Sequence, residues 1–171
     1  MESVRKLIRD IPDFPKKGII FKDITPVLAD PTAMAAINGA FEKQIEGLKP
    51  QRIVGIEARG FIFGAVLAHT LRLPFSPVRK PGKLPYQRVS TSYKLEYGEG
   101  TLEMHTDGVR RGERVVIIDD LLATGGTARA ACDLVEKQGA SVVACAFVVE
   151  LGFLGGRKLL EGRRIVALTA Y

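Results

Sequence analysis

The sequence predicts an α/β fold, a doubly wound, mainly parallel sheet of about five strands with flanking helices. Five short runs read as strands, 53–56, 75–78, 115–118, 142–149 and 165–168, and all but 75–78 are rich in Val and Ile. Segments of helix length separate most of them, and parallel neighbours need such crossovers. The run Val115-Val116-Ile117-Ile118 is apolar without alternation, which suits a strand covered on both faces.

In chain order, a first helix is expected to run to about Arg9. Asp30-Pro31 then supplies an N-cap with proline at the first helical position, opening a helix through about Ile45. The strand at 53–56 is followed by an apolar helix over 61–71 and a second strand at 75–78. After the strand at 115–118, Ala128, Ala131, Cys132, Leu134 and Val135 fall on one side of a helix of about three turns, and Gly139 stands where a left-handed cap is expected. No repeat, low-complexity tract or linker interrupts the 171 residues, so one domain is expected. A chain of this size buries roughly 70% of its unfolded surface without staples.

The exception to regular order is 80–104, which is polar, contains Pro81, Gly82, Pro85, Gly98 and Gly100, and alternates only weakly around 91–95. A long connection of this kind in a compact domain is usually functional or mobile. It reads as a lid with strand pairing.

Twenty-five Lys and Arg against nineteen Asp and Glu leave a net charge of +6. That balance suits nucleic acid or a substrate carrying several phosphates. The clusters Arg79-Lys80-Pro81-Gly82-Lys83 and Arg157-Lys158 with Arg163-Arg164 lack the interleaved aromatics of a single-strand binder, so nucleic acid is the minor reading. Cys132 and Cys145 read as buried apolar residues in a reducing compartment. The charged N-terminal residues have no apolar core of a signal peptide, and 142–149 is too short to span a bilayer. A cytoplasmic protein without a membrane partner is expected. His69 and His105 are given no role.

The chemistry concentrates after the strand at 115–118. Asp119 and Asp120 should mark its open, polar end, because desolvating unpaired carboxylates costs several kcal/mol or more. Ligands bind there in open α/β sheets. Ala123-Thr124-Gly125-Gly126-Thr127 follows, with two glycines for a sharp turn and close approach and two threonine hydroxyls as donors. A glycine-rich turn feeding a helix N-terminus presents free N–H groups and the positive end of the dipole to an anion. This is a phosphate cup beside two acids. Neither Gly-x-x-x-x-Gly-Lys-Ser/Thr nor Gly-x-Gly-x-x-Gly occurs, so P-loop and dinucleotide-binding readings are unsupported.

Ile53-Val54-Gly55-Ile56-Glu57-Ala58-Arg59-Gly60-Phe61 repeats the logic of strand, acid and glycine opening a helix. Arginine at a helix N-terminus opposes the dipole, which suggests that Arg59 meets an anion. The alternative is an exposed Arg59 paired with Glu57.

The thirteen-residue pattern 115–127 resembles the phosphoribosyl pyrophosphate signature of the type I phosphoribosyltransferases. Within them the resemblance narrows to the adenine phosphoribosyltransferases and covers about residue 8 onward. Ile11-Pro12-Asp13-Phe14-Pro15 and Gly18-Ile19-Ile20-Phe21-Lys22-Asp23-Ile24-Thr25-Pro26 look like their base-binding hood, 57–63 like their pyrophosphate loop, and 79–84 with Tyr93-Lys94-Leu95-Glu96-Tyr97-Gly98 like their mobile lid. Glu57 stands where aspartate is also common.

The resemblance implies transfer of a 5-phosphoribosyl group from phosphoribosyl pyrophosphate to adenine, giving AMP and pyrophosphate. It implies ribose binding by Asp119 and Asp120, phosphate binding by Ala123, Thr124, Gly125, Gly126 and Thr127, and pyrophosphate binding by Arg59, Lys83, Arg79 and Lys80. Phe21 would stack on the purine while backbone groups of Ile20 and Lys22 read its edge; from sequence alone Phe21 could equally be a core residue. Glu96 would manage proton exchange, or be a solvated acid beside Lys94, and Tyr97 would close over the site or pack the lid. Mg²⁺ is implied as a cofactor carried by phosphoribosyl pyrophosphate near Asp119 and Asp120, with no direct protein ligand, and a homodimer is implied with Arg79 and its neighbours acting across the interface. Two rivals stay open: a transferase for another purine, such as xanthine or hypoxanthine, and a non-catalytic sensor of phosphoribosyl pyrophosphate.

Overall fold

The computed structural model of the chain describes residues 1–94 and 99–171. Five parallel strands form the central sheet: β3 (Arg52–Ile56), β4 (Phe75–Val78), β7 (Arg114–Leu122), β8 (Ser141–Glu150) and β9 (Ile165–Ala170), in the order β4-β3-β7-β8-β9. From β3 the chain steps outward to β4, then returns to build β7, β8 and β9 on the other side. The order therefore reverses between β3 and β7, the kind of switch point at which open α/β sheets leave a crevice.

Helices α3 (Pro31–Ile45) and α4 (Arg59–Leu71) cover one face, and α5 (Gly126–Lys137) covers the other. Strand alternation divides the core accordingly. Val116 and Ile118 of β7 pack with Phe41, Phe63 and Leu67, whereas Val115 and Ile117 pack with Leu134, Val135 and Phe147. Both faces of β7 are thus dry, as its unbroken apolar run required. Asp30 caps α3, accepting hydrogen bonds from the N–H groups of Thr32 at 2.8 Å and Ala33 at 2.9 Å. Cys132 and Cys145 are buried as free thiols, Sγ to Sγ 3.5 Å apart, and the hydrogen bond with the Cys132 thiol, then burial, pushes Cys145 up.

Two short strands stand apart from this sheet. The first helix, α1 (Glu2–Leu7), stops earlier than the sequence suggested, because Arg9 already belongs to β1 (Arg9–Pro12). This strand pairs antiparallel with β2 (Ile20–Asp23), and a single turn, α2 (Thr25–Leu28), leads on to α3. Ion pairs tie the two strands: Arg9 Nη2 to Asp23 at 2.6 Å and Lys22 Nζ to Asp10 at 2.6 Å. The Thr25 hydroxyl and N–H, then Arg9, hold the Asp23 carboxyl down to about 2. Tyr171 anchors the unit, its ring lying 3.9 Å from Lys22 Nζ and 4.7 Å from Arg5 Cζ.

The segment 80–104 is more structured than its composition suggested. Strands β5 (Arg88–Lys94) and β6 (Glu99–His105) form an antiparallel hairpin in register from Arg88↔His105 to Lys94↔Glu99. Leu102 and Met104 are buried in the α5-side core. Their i, i+2 spacing was the signal, hidden by the charged residues around it.

The acids also sit differently from expectation. Asp119 and Asp120 do not terminate β7, which continues to Leu122. On the β8 side the ladder runs on through Asp119↔Phe147 and Leu121↔Val149, while on the other side β3 pairs no further than Gly55↔Ile118. From Asp119 onward β7 has one open edge, and that edge admits the carboxylates.

Candidate active site

A cavity of about 630 Å³ opens at this edge, between the C-terminal ends of β3 and β7 and the N-termini of α4 and α5. Glu57, Arg59, Lys80, Asp119 and Asp120 line it with the turn at Ala123, Thr124 and Gly125 and with Thr127.

Asp120 is 4% exposed, and Asp119 keeps partial access. The Asp119 carboxylate accepts a 2.9 Å hydrogen bond from the Asp120 N–H. Arg59 Nε lies 2.8 Å from Asp120 Oδ2, close enough for an ion pair but out of line for a hydrogen bond, so this buried oxygen has no hydrogen-bond donor. Burial, and for Asp119 also the charge of Asp120, pushes both carboxyls up, well above the ordinary range for Asp119. Arg59 opposes the rise but does not cancel it. Two acids held this way favour a hydroxyl donor or a cation brought by a ligand.

Gly60 permits the approach of α4. A Cβ there would stand 2.6 Å from the Ile118 carbonyl oxygen and 3.0 Å from Asp119 Cα, so a side chain would push the helix, and Arg59 with it, away from β7. The Arg59 guanidinium also lies 5.4 Å from the centre of the Phe21 ring, placing the β1–β2 unit beside the cavity. Phe21 is half-buried, outside the core, with Phe14 edge-on at 5.2 Å. Ile20 is exposed, and Lys22 is engaged by Asp10 and Tyr171.

Glu57 meets Arg79, not Arg59. Arg79 Nε donates at 3.1 Å and the Lys80 N–H at 3.0 Å. Burial would raise this carboxyl, but those donors and the charges of Arg79 and Lys83 leave it lowered. Arg79 donates further to the Lys83 carbonyl at 2.9 Å. Arg79, Lys83 and Gly126 therefore do not line the cavity, whereas Lys80 does. Lys83 is exposed, and Gly126 lies buried as the first residue of α5. Glu96 and Tyr97 lie outside the described residues.

The turn before α5 is built by close backbone contact. Gly125 has φ +88, and the α5 N-terminus has no side-chain cap, which leaves its first N–H groups for a ligand. A Cβ on Gly125 would collide with the Gly156 carbonyl, and one on Gly156 with the Ala123 carbonyl. Gly156 thus buttresses the turn, and Arg157 beside it binds Glu150 through two 2.6 Å hydrogen bonds. Sequence reading missed this support, since Gly155-Gly156 is an ordinary loop signal. It also missed Tyr93, which lines the cavity and accepts a 3.3 Å hydrogen bond from the Thr127 hydroxyl.

A sheet with this switch point, an acid pair at the open edge and an uncapped helix beneath a glycine turn defines a phosphoribosyl-binding class of site. Residues 24–159 match the family model described as the phosphoribosyl transferase domain. An adenine phosphoribosyltransferase of Anaeromyxobacter sp. (strain Fw109-5) is 54% identical over 171 residues, covering 100% of this chain and 97% of that protein. The crystal structure of adenine phosphoribosyltransferase from Thermoanaerobacter pseudethanolicus matches with a TM-score of 0.97 at 54% identity, over 99% of each chain. The enzyme of Saccharomyces cerevisiae, solved with an imino-altritol bisphosphate and adenine, matches with a TM-score of 0.93 at 38% identity, over 98% of this chain and 97% of that one. The chain belongs to the phosphoribosyltransferase family and, within it, to the adenine phosphoribosyltransferases. Among the described residues no helix is long and apolar enough to cross a membrane.

Proposed function

We propose that the chain transfers the 5-phosphoribosyl group of phosphoribosyl pyrophosphate to adenine, releasing pyrophosphate and AMP in purine salvage. The observation that carries this reading is the acid pair beside the uncapped α5 N-terminus, in a chain about half identical along its whole length to adenine phosphoribosyltransferases.

The 5′-phosphate sits in the turn from Ala123 to Thr127, held by helix N–H groups and threonine hydroxyls. The ribose diol meets Asp119 and Asp120, where one hydroxyl gives Asp120 Oδ2 the donor it lacks. Pyrophosphate lies toward Arg59 and Lys80, whose charges stabilise it as the bond from C1 breaks. The acids face the positive charge that develops on the ribose as purine N9 closes on C1. Phe21 stacks on adenine, backbone groups of Ile20 and Lys22 read its edge, and Glu96 exchanges the N9 proton.

Two carboxylates offer fewer than the about six oxygens that Mg²⁺ takes, so Asp119 and Asp120 would lie near an ion held mainly by phosphate and water oxygens of phosphoribosyl pyrophosphate, without ligating it directly. Such an ion would supply positive charge to the leaving group.

The whole chain acts as one cytoplasmic domain, with 80–104, the segment that carries most of the β5–β6 hairpin, as its lid. The active form is a dimer, in which Arg79 and Lys83 serve the interface. Exposed Lys83, outside its own cavity, and the exposed apolar residues Ile62 and Val66 on α4 support a second copy.

The test is pyrophosphate release from phosphoribosyl pyrophosphate and Mg²⁺ with each free base in turn. Adenine should react, and hypoxanthine, guanine and xanthine should be slower by at least about a thousandfold in kcat/KM, because a backbone carbonyl facing the amino group leaves an oxo group unsatisfied. Lys22 is held at 2.6 Å by Asp10 and is not free to rescue O6. Comparable turnover of hypoxanthine would move the assignment to another purine. No turnover of any base, with phosphoribosyl pyrophosphate still bound, would favour the sensor.

A further inference from the structure

Tyr93 stands between two elements that otherwise share few polar contacts, the β5–β6 hairpin and the phosphate turn. Its cross-strand partner is Gly100. A Cβ at Gly100 would lie 2.6 Å from Tyr93 Cζ and 2.8 Å from its hydroxyl oxygen, so the ring lies flat across the glycine. From that seat the ring packs against the α5-side core, and its hydroxyl reaches Thr127 in the first turn of α5. Farther along α5, Lys137 Nζ donates to the Thr91 hydroxyl at 2.6 Å. The Lys137 contact is exposed, whereas the Tyr93–Thr127 contact lies at the cavity wall.

We propose that Tyr93 is a positioning residue of the transfer reaction: through Thr127 its hydroxyl fastens the hairpin to the phosphate turn, and a phosphate ester in that turn strengthens the fastening. The inference rests on the reading of 123–127 as the 5′-phosphate site. Each hydroxyl has one proton to give and lone pairs to receive. In the structure Thr127 donates and Tyr93 accepts. A phosphate oxygen is a stronger, charged acceptor than a phenol, so it takes the Thr127 proton. Thr127 Oγ1 then has a lone pair facing Tyr93, and the Tyr93 O–H donates to it. The hydrogen bond survives with its direction reversed, now in line with a charge-assisted one. Only a hairpin held against α5 keeps both bonds, so ester binding and hairpin order become linked.

Tyr93→Phe removes the hydroxyl and keeps the ring on Gly100 and the core. AMP affinity and hydrogen exchange of the β5 and β6 amides are measured in both proteins, with adenosine as the ligand that lacks the phosphate. In the parent protein AMP should slow hairpin exchange by about tenfold and adenosine should not. In Tyr93→Phe, AMP affinity should fall by no more than about threefold to tenfold, the worth of one hydrogen bond. Hairpin protection by bound AMP should shrink by a similar factor, and kcat should fall with it. Thr127→Ser keeps the hydroxyl and should keep the protection. Full protection of the hairpin by saturating AMP in Tyr93→Phe would overturn the proposal. Thr127→Val and Gly125→Ala each binding AMP as the parent does would instead overturn the phosphate-site reading on which it stands.

Discussion

The strand pair β3–β7 buries carboxylates at both of its ends and treats them in opposite ways. At the end where the strands begin, Glu113 accepts from Arg52 Nε at 2.8 Å and from the Arg110 N–H at 2.8 Å. Arg52 also donates to the Ser76 hydroxyl at 3.0 Å, and that hydroxyl donates to the Gly108 carbonyl at 2.6 Å. Burial alone would raise Glu113, yet Arg52 and Arg110 leave it lowered. At the other end Asp119 and Asp120 crowd each other, one oxygen lacks a donor, and both are raised. The first end holds the sheet together. The second stores an electrostatic deficit that only a ligand relieves, as expected where stability and activity compete.

The largest expected effect lies at the satisfied end. Glu113→Ala strands Arg52, whose side chain is 11% exposed, and should cost about 3–5 kcal/mol by urea unfolding while turnover per folded molecule holds. A loss under about 1 kcal/mol would put this pair with ordinary surface pairs and erase the contrast.

Asp119→Asn with Asp120→Asn should lower turnover at least about a hundredfold and, unlike most buried polar substitutions, raise the urea midpoint at neutral pH. The sign follows from linkage. A carboxyl raised in the folded state contributes stability below its ordinary value, 3.8 for aspartate, and that contribution is lost as pH rises through the raised value. Glu113 behaves oppositely: its contribution is present above its ordinary 4.5 and lost as pH falls through the lowered value. A double variant that is less stable than the parent at pH 7 would break the comparison.

A smaller effect should sharpen it. Gly156→Ala presses on the Ala123 carbonyl and should raise KM for phosphoribosyl pyrophosphate about tenfold, with about 1–3 kcal/mol of lost stability and little change in KM for adenine. Equal change in both KM values would mean that the buttress supports the whole cavity and not the phosphate turn.

The contrast also explains what could be read in advance. Strands 53–56 and 115–118 were legible because β-branched runs have one use in a chain with helix-length spacers, and the acids and glycine turn because few structures need that order of residue types. The partners were not. Glu113 sits between a glycine and an arginine with no local sign that Arg52, far back in the chain, answers it. Arg79 was given to pyrophosphate by resemblance alone, and nothing local in the sequence shows that the fold sets it on Glu57. Tyr93 and Gly156 act through contacts across 34 and 31 positions of sequence respectively, to Thr127 and Gly125. Pairings of that range are set by topology, which periodicity does not encode.

The β1–β2 unit adds one consequence. Neither strand contains a fully buried side chain, and the unit forms its own two-stranded sheet whose ion pairs are internal, joined to the rest by the Tyr171 ring, the Arg59 guanidinium over Phe21 and the buried residues that follow it. Its opening free energy should lie well below that of the central sheet, so it forms a separate cooperative unit under mild denaturant. Base recognition and sugar-phosphate recognition would then fail in sequence, leaving an intermediate that still holds the ribose phosphate after it has lost its grip on the purine.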